Sequence, residues 1–250
     1  MPSLSPYRAE LDYSYAPGIY PSMECLIHRP RLVRRLLIHS GSAGREGMDR
    51  LTELAARHGI RTEEADRALS RVSGKDNCFA AAVFSKFSDT PDSAKPHVVL
   101  HCPSDAGNVG TILRTALGFG IEDVILIRPC VDVFDPKTVR ASMGSLFSLR
   151  IQVLDGFEEY LAQIDAGRVL YPFMLTASVT LAEAVTENAD RNFTLVFGNE
   201  GSGLPEEFLR IGRPVRIESN NRVDSLNLSI AAAIGIYGFT VSGFEGRRNG

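Results

Sequence analysis

From residue 97 onward, short apolar runs alternate with helical segments, and this alternation leaves few folds open to the chain. Val98–His101, Val124–Ile127, Val169–Leu175, Thr194–Phe197 and Val215–Ile217 read as buried strands. Between them Val109–Leu117, Pro136–Met143, Phe157–Ile164 and Pro205–Arg210 read as helices, and Leu226–Val241 as a long final one. Two parallel strands need a long crossover, usually a helix, to join them. The pattern therefore predicts an α/β fold with a mostly parallel sheet and helices on both faces. On such sheets ligands bind beyond the carboxyl ends of the strands. That directs attention to the loops after Val98–His101, Thr194–Phe197 and Val215–Ile217.

The first part of the chain reads differently. Arg35–His39 and Phe79–Phe84 look like strands, and Gly47–His58 and Glu63–Arg71 like helices. They form a small α/β unit. The polar stretch Ser88–Lys95 follows it, with Pro96 next, and reads as a linker. The expected division is residues 1–90, a linker at 91–96, and a second domain at 97–250. A chain of 250 residues suits two modest domains. Its net charge is only −3, so any contact with nucleic acid must come from local basic patches.

Cys25, Cys78, Cys102 and Cys130 are far apart and form no CxxC pair, and the five histidines are scattered. No metal site and no disulfide framework is expected, and reduced thiols point to the cytoplasm. No basic segment followed by an apolar run opens the chain, so no secretory signal is expected. Leu226–Gly243 is apolar but carries Asn227, Ser229 and glycines. A central helix buried on most faces accounts for it better than a membrane span, which needs roughly 20 predominantly apolar residues.

Three loops carry unusual residues. The first runs from Asp105 through Gly107, Asn108 and Gly110 into a helix bearing Arg114 and Thr115. Its glycines let backbone approach a partner, and a helix N-terminus attracts phosphate or carboxylate. A plain Asn cap with a solvent-facing Arg is the simpler alternative. Gly107-x-x-Gly110 is not GxGxxG, so a dinucleotide fingerprint is not indicated. The second loop, Phe197-Gly198-Asn199-Glu200-Gly201-Ser202-Gly203, has no GK[ST] ending of a nucleotide-triphosphate loop. Glu200 sits there among residues with little bulk. The third runs from Asn220 to Ser229, with Ser225 as the expected helix cap and Asn227 in the first turn.

These three segments resemble the motifs of SpoU-type RNA 2′-O-ribose methyltransferases of the SPOUT class. The family pattern is an N-x-G-x-x-x-R-T loop, an N-E-G-x-G loop and an S-L-N-x-S segment. Here they stand at Asn108–Thr115, Asn199–Gly203 and Ser225–Ser229, in the family order. Arg140-Ala141-Ser142-Met143-Gly144 is similar to the family's R-A-S-x-G stretch. The resemblance covers roughly residues 97–243. More weakly, the first ninety residues resemble the ribosomal-protein-like RNA-binding domain often attached in front. The resemblance implies a C-terminal trefoil knot, a rare exception to unknotted topology. It also implies a homodimer with shared sites and S-adenosylmethionine as cofactor.

By the same resemblance Phe197, Gly198, Asn199, Gly201, Gly203, Ile217, Ser219 and Leu226 would hold the cofactor. Asn108 and Glu200 would position substrate, and Ser225 and Asn227 would shape the reacting end. Arg114 is the family's candidate proton acceptor. A guanidinium stays charged in water, so a fixed charge gripping the target phosphate is an equally natural role. The chain departs from the family at Ala106, commonly Pro, and at Glu218-Ser219, commonly Pro-Met.

The RNA, rRNA or tRNA, would be met by the first unit. Arg29, Arg31, Arg34 and Arg35 lie within seven residues and form the candidate RNA-binding patch, with a solvated face as the alternative. Tyr7, Tyr13, Tyr15 and Tyr20 are candidates for stacking on unpaired bases, or for packing an arm onto the core. The competing activities are methylation of a base, and RNA binding by a knotted protein without turnover.

Overall fold

The structure is a computed structural model that describes residues 5–73, 78–188, 192–220 and 222–248. Asn221 of the third loop lies outside them. In chain order the first elements are β1 (Tyr13–Pro17), α1 (Ile19–His28), β2 (Val33–Ile38), α2 (Met48–Arg57), β3 (Thr62–Glu64), α3 (Asp66–Ser73) and β4 (Ala80–Ser85). Then come β5 (His97–His101), α4 (Ala106–Gly118), β6 (Asp123–Ile127), α5 (Pro136–Ala141), β7 (Arg150–Leu154) and α6 (Phe157–Leu161). The last are β8 (Val169–Pro172), β9 (Val179–Thr180), α7 (Leu181–Glu187), β10 (Phe193–Phe197), β11 (Val215–Arg216) and α8 (Leu228–Arg248).

The chain forms two compact units. The first comprises residues up to Phe87 together with Val109–Arg114 and Asp132–Ser148. Its sheet has the order β1-β4-β2-β3, antiparallel except for β2 and β3. Tyr15, Leu37, Ala81 and Val83 share one face of the sheet and pack on Leu69 of α3, while Ala16, Leu36, Ala82 and Phe84, which alternate with them, are buried on the other face. β4 is alanine-rich, a weak strand former, and is held by its neighbours. Ser22, fully buried on α1, accepts a hydrogen bond from the Ala82 amide at 2.9 Å and donates to the Ala16 carbonyl at 2.8 Å. Gly110 of α4 belongs to this unit, and a Cβ there would lie 2.4 Å from the Ala141 Cβ. The glycine in the first loop motif thus serves close packing on α5.

The second unit holds a parallel sheet ordered β7-β6-β5-β10-β8. The expected α/β architecture with a mostly parallel sheet is present. Its central strands are continuous apolar runs because both faces are covered. Val99, Ile125, Val196, Phe157, Tyr160 and Phe208 form the core on one side. At the amino ends of the strands the sheet is tied by buried polar groups. Arg168, only 6% exposed, donates to the carbonyls of Phe193, Ser93 and Lys95 at 2.8, 2.7 and 2.8 Å. The His97 ring bonds the Tyr160 hydroxyl and the Asp92 carbonyl, each at 2.9 Å. Burial lowers the His97 pKa, although the Asp92 carbonyl favours its charged form.

Several expected elements need correction. Thr62–Glu64 pairs with β2 as a strand, so the helix expected over Glu63–Arg71 begins only at Asp66. Pro205–Arg210 is a 3-10 turn over Glu206–Arg210, closed by i to i+3 bonds such as that from the Phe208 amide to the Pro205 carbonyl at 3.0 Å. α8 starts at Leu228, two residues late, and is not buried on most faces. Ala232, Ile236 and Phe239 are covered, whereas Ile230 and Tyr237 are 51% and 53% exposed. The apolar residues run all round this helix, and only one face of it meets the unit. Among the described residues no helix is long and apolar enough to cross a membrane.

Replacing Arg168 by Ala should leave the buried Phe193 carbonyl and the part-buried Ser93 and Lys95 carbonyls short of a donor. We expect a loss of about 3 kcal/mol in urea unfolding. Arg128→Ala, which breaks the exposed pair with Asp155, should cost less than about 1 kcal/mol. Equal losses from the two variants would contradict this reading.

Candidate active site

The three unusual loops leave the carboxyl ends of β5, β10 and β11, all in the second unit. Asp105 caps α4, its carboxylate accepting from the Asn108 amide at 2.7 Å. Asn108 is therefore not the cap. It lies in the first turn, and its side chain is left for another task.

That task is set by Glu200. One carboxylate oxygen accepts from the Ser104 amide at 2.9 Å and the Ser104 hydroxyl at 2.6 Å. The other accepts from the Asp105 amide at 3.0 Å and the Asn108 side-chain amide at 3.2 Å. Partial burial works to raise the carboxyl, but the Ser104 hydroxyl, amides and Asn108 hold it down at about 2. The glycines around Glu200 let it reach across to the first loop rather than outward to solvent.

The chain of bonds continues into the third loop. The Asn108 side-chain oxygen accepts from the Asn227 amide group at 3.1 Å. The Asn227 oxygen accepts from the Ser229 amide at 2.9 Å and its hydroxyl at 2.7 Å. Asn227 is thus the N-cap of α8. Ser225, expected in that role, lies in extended chain two residues before it, because the helix begins at Leu228.

Beside this chain lies a cavity of about 210 Å³. All eight residues expected at a cofactor line it: Phe197, Gly198, Asn199, Gly201, Gly203, Ile217, Ser219 and Leu226. Glu200 and Ser225 line it too, while Asn108, Arg114 and Asn227 do not. The glycine loop closes tightly, with Asn199 and Gly203 exchanging amide-to-carbonyl bonds at 3.2 and 2.9 Å. A Cβ on Gly198 would sit 2.2 Å from the Gly203 carbonyl carbon, so no other residue fits. The Asn199 side chain donates to the Cys102 carbonyl at 2.8 Å and accepts from the Gly201 amide at 2.9 Å. Cys102 itself has φ +56°, a conformation rarely adopted outside glycine and met at functional sites.

Sequence reasoning missed the cavity's other wall. Phe173, Met174 and Leu175 follow β8, and Val215, Val223, Asp224, Leu228 and Ala231 add to the lining. Phe173 stacks on Phe197 at 4.4 Å between centroids. An aromatic at the end of a strand was the only available signal. Ser104 was missed as well, since a serine ahead of a cap carries no pattern of its own. Arg114 is exposed and makes no ion pair among the described residues. In the first unit, Arg34 pairs with Asp12 at 2.7 Å and Arg35 with Glu63 at 3.0 Å. Arg29 lies over the Phe87 ring at 4.6 Å, and Arg31 is exposed. Among the described residues no group of His, Cys, Asp or Glu is arranged to hold a metal.

A parallel sheet with glycine-rich loops joined at its carboxyl edge is the frame of a nucleoside-cofactor enzyme, and comparison with known proteins gives the family. The profile of the SpoU rRNA methylase family matches residues 95–237. The chain belongs to that family. It is 31% identical over 192 residues to an uncharacterised tRNA/rRNA methyltransferase of Synechocystis, covering 76% of this chain and 69% of that one. It is 32% identical over 156 residues to a 23S rRNA (adenosine(1067)-2′-O)-methyltransferase of Streptomyces azureus, covering 61% and 57% of the two chains. An AdoMet-bound rRNA methyltransferase from Sinorhizobium meliloti has a similar structure, with a TM-score of 0.77 and 26% identity, over 92% of this chain and 88% of that one.

Glu200→Gln turns an amide group toward the donors of the first loop. Exchange of the Ser104 and Asp105 amides should rise by at least about tenfold, as expected when a charged acceptor is lost. The folded pKa lies below the ordinary carboxylate value of 4.5. The carboxylate's contribution is therefore full above that value and fades as pH falls toward about 2. Loss of this protection above pH 4.5, before the fade begins, would contradict the assignment.

Proposed function

We propose that this chain transfers a methyl group from S-adenosylmethionine to a ribose 2′-hydroxyl of rRNA or tRNA. It is an S-adenosylmethionine-dependent RNA methyltransferase. The observation that carries the reading is the hydrogen-bonded chain Glu200–Asn108–Asn227, which joins the three family motifs beside one cavity. The cavity suits the cofactor's chemistry. Ile217, Leu226 and Leu228 offer apolar walls to an adenine, and Ser219 and Asp224 offer polar groups to a ribose. Bound there, S-adenosylmethionine supplies an electrophilic methyl carbon on a sulfonium, so no metal is needed.

The chain's own residues then position and discharge. Glu200 fixes the first loop, and with it Asn108 and the start of α4. Asn108 and Asn227 fix each other, so donor and acceptor loops keep one spacing. Holding two reactants in line supplies much of a methyl transfer's rate. Arg114, exposed and without an ion pair among the described residues, is available to a substrate phosphate. Its charge would also stabilise the negative charge that develops on the 2′-oxygen as the hydroxyl passes its proton to solvent water. Ser225, at the cavity, shapes the reacting end.

Residues 1–90 form the RNA-recognition part in this reading, and 97–250 the methyltransferase part, whose last segment threads the trefoil knot. The enzyme works in the cytoplasm as a homodimer. The exposed apolar stripe Leu226, Ile230, Ile234 and Tyr237 supports a second copy seated on α8.

The test is methyl-labelled S-adenosylmethionine with separate pools of unmodified tRNA and rRNA, followed by digestion to nucleosides. Label should appear in a 2′-O-methyl nucleoside, and Arg114→Ala should reduce it at least about 100-fold. Label on a base would overturn the ribose assignment. The same preparation should sediment at twice the monomer mass; a monomer would remove the shared site.

A further inference from the structure

The basic run that first suggests an RNA surface is largely spent inside the first unit. Arg34 and Arg35 are paired with carboxylates, and Arg29 covers Phe87. The tyrosines also separate. The Tyr7 phenol bonds Asp132, and Tyr15 is fully buried with its hydroxyl on the Ser5 carbonyl at 2.6 Å. Tyr13 stands edge-on to Tyr15 and under Arg34. Tyr20 alone of the four is an open ring, 50% exposed.

Tyr20 is on the first turn of α1 and borders a cleft of about 270 Å³ in the same unit. Pro17, Ile19, Cys78, Arg140 and Met143 line the rest. Arg140 and Met143 come from the R-A-S-x-G stretch, which the reaction chemistry leaves without a role. Met143 is held at φ +53°, unusual for a residue with a side chain, and is 41% exposed. The backbone cannot relax easily beside it. Gly144 has φ +87°, and a Cβ there would lie 2.7 Å from the Glu24 Cβ. Non-glycine residues held in this left-handed region cluster at active sites, ligand clamps and switches. On the other rim, the Tyr20 hydroxyl contacts Glu46 at 3.4 Å, which steadies the ring.

We propose that this cleft, with Arg140 in its lining, holds one unpaired nucleotide of the substrate RNA, its base stacked on Tyr20 against Met143. An open aromatic face, a polarizable thioether and a guanidinium are what single-stranded RNA recognition uses. The cleft shares no lining residue with the cofactor cavity. It rests on the reading of the chain as an RNA methyltransferase and adds the unpaired character of the RNA it takes.

The experiment uses the full chain and two probes, in-vitro-transcribed rRNA and tRNA pools, in filter binding at one fixed salt concentration. Tyr20→Leu keeps apolar bulk and loses the π-face. It should weaken binding to the preferred pool roughly 5- to 150-fold, the effect of removing one base–aromatic stack. Tyr20→Phe should bind as wild type, since stacking does not use the hydroxyl. Affinity for S-adenosylmethionine and the thermal midpoint should be unchanged in both variants, which separates a lost contact from a lost fold. Should Tyr20→Leu unfold, Met143→Ala takes its place and should weaken binding with cofactor affinity intact. Wild-type affinity in a folded variant of either residue overturns the proposal while leaving the methyltransferase reading intact. No binding of either pool by the wild type overturns both.

Discussion

A single carboxylate holds the reactive edge of this protein together. Glu200 accepts four hydrogen bonds from Ser104, Asp105 and Asn108, and Asn108 passes the constraint on to Asn227. The parallel sheet brings the loops after β5 and β10 to one edge, and the third loop leaves β11 of a separate two-stranded sheet with β9, so no sheet sets the spacing between the loops. Side-chain bonds do that. The charge on Glu200 makes each bond stronger than its neutral equivalent, and the charge is secure because the same donors depress its pKa.

The glycines follow from this arrangement and divide by task. Gly198 is forced by the close return of the loop at Gly203, and it lets Glu200 face inward. Gly110, one motif earlier, answers to α5 instead. Two glycines in similar-looking loops thus serve different contacts. The strain at Cys102 has a parallel explanation. Its carbonyl must meet the Asn199 side chain, and Asn199 in turn shapes the turn that carries Glu200.

Much of the second unit was legible because its strands are apolar runs ended by glycine-rich turns. Local pattern marks both features well. The eight residues that the family resemblance marks for the cofactor line one cavity because they lie in or beside the loops after β10 and β11. The wall at Phe173–Leu175 was hidden, since it joins the cavity through strand order rather than through sequence. The start of α8 was misplaced by two residues because Ser225 and Asn227 are both good caps, and only the bond to Asn108 decides between them. The arginine run shows a further limit. Its carboxylate partners Asp12 and Glu63 lie up to 28 positions away in the chain, so a self-neutralised patch looks like a free one.

Glu200 and Asn227 act through Asn108 as one unit. A double-mutant cycle measures this directly: kcat/KM for methyl transfer in Glu200→Gln, Asn227→Ala and the double variant. Residues in one network couple by about 0.5–3 kcal/mol. The double variant should therefore lose little more than the worse single one. Losses that multiply, within about 0.5 kcal/mol of additivity, would mean that the loops are held independently, and the account would be wrong.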